Sequence, residues 1–170
     1  MAGNRESSVL PFIALANSKA QKLDPIFTDE TDGYGPVGND TGSDVLGHYR
    51  RWRESGNRPG QFLPHLLKAW EIGDYDWDEQ DANLIVEEMQ RSPQAVFERL
   101  TRDDAIIALA FAQIIVDGTP QQKVLERALK AVHRQSQDRI VEFRGWEDPA
   151  YRREVLAKVA VFLKAARPAV

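Results

Sequence analysis

The sequence contains no cysteine, and that absence excludes several kinds of site at once. With no thiol among its 170 residues, the chain has no disulfide, no thiolate zinc site, no iron–sulfur cluster and no cysteine nucleophile. Proteins of reducing compartments do without disulfides, so we expect a cytoplasmic location.

The chain also lacks a long apolar segment. Its longest nearly uncharged apolar run, residues 105–116, has about half of the ~20 residues that a membrane-spanning helix needs. The N-terminus has no basic stretch followed by an apolar one, which is the pattern of a secretory signal. We therefore expect neither a membrane span nor a secretory leader.

Neither sign of charge dominates the whole chain, but the two signs are unevenly distributed. Residues 1–60 carry 7 basic and 8 acidic side chains, residues 61–118 carry 4 and 12, and residues 119–170 carry 11 and 6. The acidic middle and the basic end can neutralise each other within one fold, or can present faces of opposite potential to partners. The net charge of −4 argues against a nucleic-acid partner, because proteins that bind nucleic acids usually carry a concentrated excess of Lys and Arg.

Familiar catalytic and phosphate-binding motifs are missing. No Gly-x-Ser-x-Gly or phosphate-loop motif occurs, and none of the three histidines lies four residues from another. The segment 33–38 does match Gly-x-Gly-x-x-Gly, but Pro36 removes a backbone donor there and no apolar strand precedes it. We expect no bound cofactor.

The most metal-like feature is the run of alternating carboxylates in residues 74–81. It resembles the opening of a calcium loop, but Glu79 stands where such a loop needs glycine and Ile85 stands where it needs the closing glutamate. An acidic helix start, with Asp78 as the N-cap, explains the run better. We expect no metal ion here.

From residue 61 onward the dominant pattern is helical. Three sites pair an N-cap oxygen with a proline at the first helical position, and a fourth resembles a capping box. These starts are Ser92-Pro93, Thr119-Pro120, Asp148-Pro149 and Thr101-x-x-Asp104. With the apolar periodicity they predict helices over 62–72, 79–90, 93–99, 102–117, 120–143 and 149–167.

The sequence therefore predicts an all-α protein, in which an irregular N-terminal arm precedes a compact helical bundle of five to seven helices. Apolar residues surround almost the whole of 102–117, so we place that helix, with Phe111 in it, at the centre of the bundle. The apolar stripes of 120–143 and 149–167 are one-sided, which is typical of helices that flank a centre.

The first 60 residues differ in composition from the rest. Between residues 24 and 44, proline and glycine recur too often for a helix or a long strand. One helix is predicted over 9–23 and a second, short one from the opening Ser43-Asp44-Val45-Leu46 to a stop at Gly56. We predict an extended, turn-rich arm over 1–60 and a helical bundle domain over 61–170, and we expect the bundle to fold without residues 1–42.

One cluster, residues 48–53, combines aromatic and cationic side chains where the arm meets the bundle. Trp, Tyr and Arg are enriched at binding hot spots, and the apolar patches 10–15 and 25–27 of the arm are suited to burial against another chain. The candidate interface residues are Phe12, Ile13, Ile26, Phe27, Tyr49, Arg50, Arg51, Trp52 and Arg53. Alternatively, Tyr49 and Trp52 dock their helix onto the bundle while the arginines face water, or the cluster binds an anion such as a nucleic acid.

These observations favour a non-catalytic subunit or adaptor of a larger assembly, whose protein partner is either a different chain or a second copy. One alternative is a small regulator or inhibitor that binds another protein transiently. Another is a small enzyme, which would need a deep pocket with a perturbed acid or base that no sequence motif reveals.

Overall fold

The structure is a computed structural model that describes residues 23–74 and 76–168. Over these residues the chain forms seven α-helices and no strand, which confirms the all-α prediction. The helices are α1 (Asp40–Glu54), α2 (Phe62–Ala69), α3 (Ala82–Arg91), α4 (Pro93–Asp117), α5 (Gln122–Gln135), α6 (Asp138–Arg144) and α7 (Pro149–Ala165). Short 3-10 turns lie at Pro25–Phe27 and Pro59–Gln61.

The centre of the bundle is α4, as predicted. Every residue from 103 to 115 is buried. Helices α1, α3 and α5 pack against α4, and α7 packs against α5. The Phe111 ring is fully buried and lies 5.0 Å from the Phe27 ring and 5.5 Å from the Phe162 ring, measured between centroids.

Two of the predicted helices, 93–99 and 102–117, are one continuous helix. Ser92 caps it through a 3.3 Å hydrogen bond that its hydroxyl accepts from the Ala95 N–H, so the start at Ser92-Pro93 is confirmed. The predicted start at Thr101 is wrong, because Val96 and Leu100 extend the apolar side of the helix toward a second apolar cluster shared with α3 and α6.

The predicted helix 120–143 is instead divided into α5 and α6. The Ser136 hydroxyl donates to the Val132 carbonyl at 2.7 Å, and Gln137 adopts an extended conformation that interrupts the helix. Ile140 then packs in the smaller apolar cluster rather than in the main core. Thr119 is not the N-cap of α5, because its hydroxyl donates to the Arg167 carbonyl at 2.7 Å.

Two further boundaries differ from the prediction for local reasons. Helix α2 ends at Ala69 rather than at Ile72, because Glu71 adopts a left-handed conformation with φ 55°. Helix α3 begins after Asp81, whose carboxylate accepts a 2.9 Å hydrogen bond from the Asn83 N–H, so Asp81 and not Asp78 is the N-cap. The start at Asp148-Pro149 is confirmed.

The segment 23–39, predicted as part of an extended arm, packs into the core of the bundle. Ile26, Phe27 and Val37 are buried in the same apolar cluster as α4, and Phe27 lies between Phe111 and Phe162. The chain then approaches α1 so closely that a Cβ on Gly42 would lie 2.3 Å from the Pro36 carbonyl oxygen. Residues on both sides of residue 60 thus contribute to one apolar cluster.

The acidic middle of the chain pairs with its basic end inside the fold. Arg134 donates to both carboxylate oxygens of Asp103, at 3.0 and 2.7 Å, and Arg144 donates to both of Asp104, at 3.1 and 3.0 Å. Burial raises the pKa of Asp103, and the hydrogen bonds from Arg134 oppose that rise. Much of the charge asymmetry along the sequence is thus neutralised internally.

Among residues 23–74 and 76–168, no helix is long and apolar enough to cross a membrane.

Candidate protein-interaction surface

Helix α1 has one buried side and one outward side, and the predicted cluster is divided between them. Asn39 caps the helix by accepting a 2.8 Å hydrogen bond from the Gly42 N–H. Val45, Leu46 and Tyr49 face the core and are fully buried. His48 is exposed, and Trp52, four residues later, lies at the edge of the buried side, half-buried against the main apolar cluster.

Trp52 lies at the surface in contact with α2. Its ring is 4.7 Å from the exposed His65 ring and 5.7 Å from the Phe62 ring, between centroids. The Trp52 indole N–H donates to the Arg58 carbonyl at 2.9 Å, which fixes the orientation of the ring. Trp52 is thus a partly exposed aromatic side chain on a rigid support.

A second aromatic pair lies one helical turn away. The exposed His48 ring is 6.4 Å from the half-buried Trp70 ring, which follows the end of α2. Arg51 lies on the same side, with its guanidinium folded back beside Gly47. We call His48, Arg51, Trp52, His65 and Trp70 the α1–α2 surface.

Two arginines near this surface, Arg51 and Arg58, have no carboxylate partner among the described residues, unlike Arg50 and Arg53. Within the described residues, no carboxylate forms an ion pair with Arg51 or with Arg58, whose carbonyl accepts from Trp52. Both arginines are exposed. The α1–α2 surface therefore combines exposed aromatic area with positive charge that is free to pair with an acidic group.

A partly buried polar cluster holds this surface against α4. The Tyr49 hydroxyl donates to the Asp117 carboxylate, and Arg53 donates to the same carboxylate at 2.8 Å. Burial raises the pKa of Tyr49 well above its usual range, and the hydrogen bond to Asp117 adds to the rise, so the phenol stays neutral and keeps donating. Tyr49 and Arg53 thus fix the position of α1.

The other predicted interface residues have different positions. Ile26 and Phe27 are buried inside the chain, and in this structure their side chains are not accessible to a partner. Arg50 is exposed and pairs with Glu30 at 2.9 Å. Phe12 and Ile13 lie outside the described residues, as does the helix predicted over 9–23 apart from its last residue. Of the seven candidates that the structure describes, Arg51 and Trp52 belong to the α1–α2 surface.

His65 and Trp70 were not among the sequence candidates. The signal for His65 is present, since α2 buries Phe62, Leu63 and Leu66 and leaves His65 on the opposite side. The apolar periodicity of α2 predicts only that His65 is exposed. Its proximity to Trp52 depends on how α1 packs against α2, which neither helix encodes by itself.

The acidic segment 74–81 is packed against basic side chains. Asp74 forms an ion pair with Arg127 at 3.3 Å, and Asp78 pairs with Lys130. The hydrogen bond from Lys130 lowers the pKa of Asp78. Trp77 is held between two guanidinium groups, with Arg127 4.2 Å from the ring centroid. Among the described residues, no group of three or more His, Asp and Glu side chains is arranged to hold a metal ion.

We expect calorimetric titration of the protein with calcium to give no stoichiometric site tighter than about 10⁻⁵ M, the sensor range. The reason is that Asp74 and Asp78 already have cationic partners, while the positions of the turn glycine and of the closing glutamate hold other residues. A saturable heat at one equivalent of calcium within that range would contradict this prediction.

Comparison with known proteins gives no relative, since no family model, curated protein or solved structure matches the chain.

Proposed function

We propose that this protein is a non-catalytic interaction subunit that binds another protein through the α1–α2 surface. The observation that carries the proposal is the combination, on and between two adjacent helices, of partly exposed aromatic rings with exposed arginines that form no ion pair with the described residues. Trp and Arg dominate binding hot spots because they bury large areas and make directional contacts. A support fixed by Tyr49, Arg53 and Asp117 reduces the ordering cost of binding.

Charge complementarity gives the chemistry of the partner. Arg51 belongs to this surface and the Arg58 carbonyl accepts from Trp52, and neither arginine has a carboxylate partner among the described residues. A partner that presents Asp or Glu side chains next to an apolar side chain would pair with the arginines and bury the aromatic rings. Opposite charges at the edge of an interface also speed association. We therefore propose an acidic protein surface as the partner, and a cytoplasmic complex as the setting.

The alternatives find less support. An enzyme needs a pocket that admits a substrate, and the pocket lined by Asp104 and Arg152, which described residues form, has a volume of about 10 Å³, the size of one water molecule. Nucleic acid would need many cations on one face. A transient regulator uses the same kind of surface as a permanent subunit, and the lifetime of the complex distinguishes the two.

The direct test begins with capture of partners from the native host by the full chain, identification by mass spectrometry and purification of the partner. We expect Trp52→Ala to weaken binding by about 2 kcal/mol or more, which is roughly 30-fold in Kd. Arg51→Glu should weaken it as well, with only a small loss of stability of the free protein, because Arg51 is exposed, lies in the last turn of α1 and forms no ion pair with the described residues.

The matched control is Arg139→Glu, which reverses the charge of an exposed arginine on α6, away from the α1–α2 surface. It should leave the Kd unchanged. Equal effects of Arg51→Glu and Arg139→Glu would mean that the partner responds to net charge rather than to this surface. A partner that proves to be a nucleic acid would overturn the proposed class.

A further inference from the structure

The outward side of helix α1 carries charges of both signs, and the two signs lie at opposite ends of the helix. Asp40 and Asp44 lie in its N-terminal half, Arg51 lies in its last turn, and all three side chains are exposed. With about 3.6 residues per turn, positions 40, 44 and 51 lie within about 40° of one another around the helix axis. One side of α1 therefore presents an acidic half followed by a basic half.

These three side chains take part in no ion pair within the part of the chain that the structure describes. Asp44 and Arg51 are two helical turns apart, whereas side chains on a helix pair at a spacing of one turn. The helix dipole favours an acidic residue in the first turn, which accounts for Asp40, but its effect falls off before Asp44. The opposite charges of Asp44 and Arg51 are thus available to another molecule.

Gly47 lies between the acidic and the basic half, on the same side of the helix. Glycine within a helix is unfavourable relative to alanine, so its presence calls for a reason. Gly42 has one inside the chain, because a Cβ there would lie 2.3 Å from the Pro36 carbonyl oxygen. A Cβ on Gly47 would meet only the end of the Arg51 side chain among the described residues, at 3.7 Å, an ordinary van der Waals contact. Close approach of another backbone would supply the missing reason.

This pattern of charge is complementary to itself when two copies of α1 run antiparallel. In a two-fold contact, a residue i of one copy meets a residue j of the other, and the reverse pair forms as well. Positions 44 and 51 lie at equal distances from the peptide bond between Gly47 and His48. A two-fold axis beside that bond therefore sets Asp44 of each copy opposite Arg51 of the other, and brings the second copy beside the partly exposed Trp52 ring.

We propose that the partner of the α1–α2 surface is a second copy of this chain, in a two-fold dimer whose α1 helices pack antiparallel beside Gly47. Two salt bridges between Asp44 and Arg51 join the copies. The inference rests on the proposed function, because it names the occupant of that same surface. Exposed salt bridges contribute little affinity by themselves, so the close helix contact and the aromatic rings supply the affinity, while the charges fix the antiparallel orientation.

The first test is charge reversal across the two-fold axis, with the full chain followed by analytical ultracentrifugation. We expect a dimer for the unsubstituted chain. Asp44→Arg alone, or Arg51→Glu alone, should raise the dimer dissociation constant at least about tenfold, because each variant places like charges opposite each other twice. A mixture of the two variants should restore a dimer with one chain of each kind, because both pairs are then opposite in sign. Restoration on mixing would also show that both variants fold.

Arg139→Glu is again the matched control, because it reverses an exposed charge on α6, and it should leave the dimer unchanged. A full chain that stays monomeric up to its solubility limit would overturn this inference alone, since loss of a different captured partner on Trp52→Ala would still support the proposed function. A dimer that tolerates both charge reversals, or a mixture that remains monomeric, would overturn the inference as well.

The second test needs no charge reversal. The chain has no cysteine, so a single one introduced by Gly47→Cys reports a contact between copies. A disulfide needs Cα atoms about 4.4–6.8 Å apart, a distance that two close helices provide beside their two-fold axis. Mild oxidation should link Gly47→Cys chains into covalent dimers much faster than Ala157→Cys chains, whose substitution lies on the exposed side of α7. Equal rates for the two variants would overturn the proposal.

Discussion

A chain that begins at residue 43 is expected to lose cooperative unfolding, whereas a chain that begins at residue 23 is expected to keep it. The longer deletion removes Ile26, Phe27 and Val37 from the main apolar cluster, together with the Asn39 cap of α1. Burial of each such side chain contributes about 1.5–3 kcal/mol. Their combined loss is comparable to the whole stability of a typical domain, about 5–15 kcal/mol.

The measurement is thermal unfolding followed by circular dichroism on the two truncated chains and the full chain. The chain that begins at residue 23 is the matched control, because it retains every described residue. If the chain that begins at residue 43 shows the same helical signal and the same midpoint as this control, residues 23–42 are dispensable for the core. The sequence-based division near residue 60 would then hold.

Phe111→Ala is expected to lower the free energy of unfolding by about 3–5 kcal/mol, the usual cost of removing a buried aromatic ring. Phe111 is 0% exposed and contacts both Phe27 and Phe162, so the substitution opens a cavity where the N-terminal segment, α4 and α7 meet. Urea denaturation at equilibrium measures the loss.

Phe97→Ala is the matched control for this substitution. Phe97 lies on the same helix but is 48% exposed, so its removal should cost much less. If the two substitutions lower the free energy of unfolding equally, then Phe111 is not at the centre of the core and the description of α4 as the central helix is wrong.

The fold was predictable where the deciding interactions are local. Ser92 and Asp148 each precede a proline and cap the helix that follows, so α4 and α7 start where the sequence indicates. One local signal gave a wrong helix start. Thr101 and Asp104 match the pattern of a capping box, but they lie within a longer helix, on which Val96 and Leu100 pack against a second apolar cluster. There, apolar contacts between distant segments outweighed the capping pattern.

The position of residues 23–39 was not predictable from local pattern. A segment rich in proline and glycine resembles a loose arm, and its attachment rests on contacts between residues far apart in sequence, such as Phe27 with Phe162. Tyr34 makes the same point, because its carbonyl accepts from Arg152 and its hydroxyl accepts from the Asp148 N–H. No spacing within 23–39 encodes those partners.

The kinds of residue at the candidate surface were predictable from the sequence, but the set of residues that come together there was not. Trp52 and Arg51 were identified as hot-spot types and so was Tyr49, which the structure buries fully beside Phe62, whereas Trp52 packs on the same ring and stays partly exposed. His65 joins the surface only because α2 packs against α1.

The central claim, that a partner protein binds the α1–α2 surface, is tested most directly by site-specific photo-crosslinking in the native host. A benzophenone amino acid is placed at His65 in one full-length chain and at Ala157, an exposed position on α7, in another. We expect a covalent adduct with one partner from position 65, weaker when Trp52→Ala is added, and no such adduct from position 157. An adduct of equal yield from position 157, or none from position 65 while the partner is still captured, would contradict the claim.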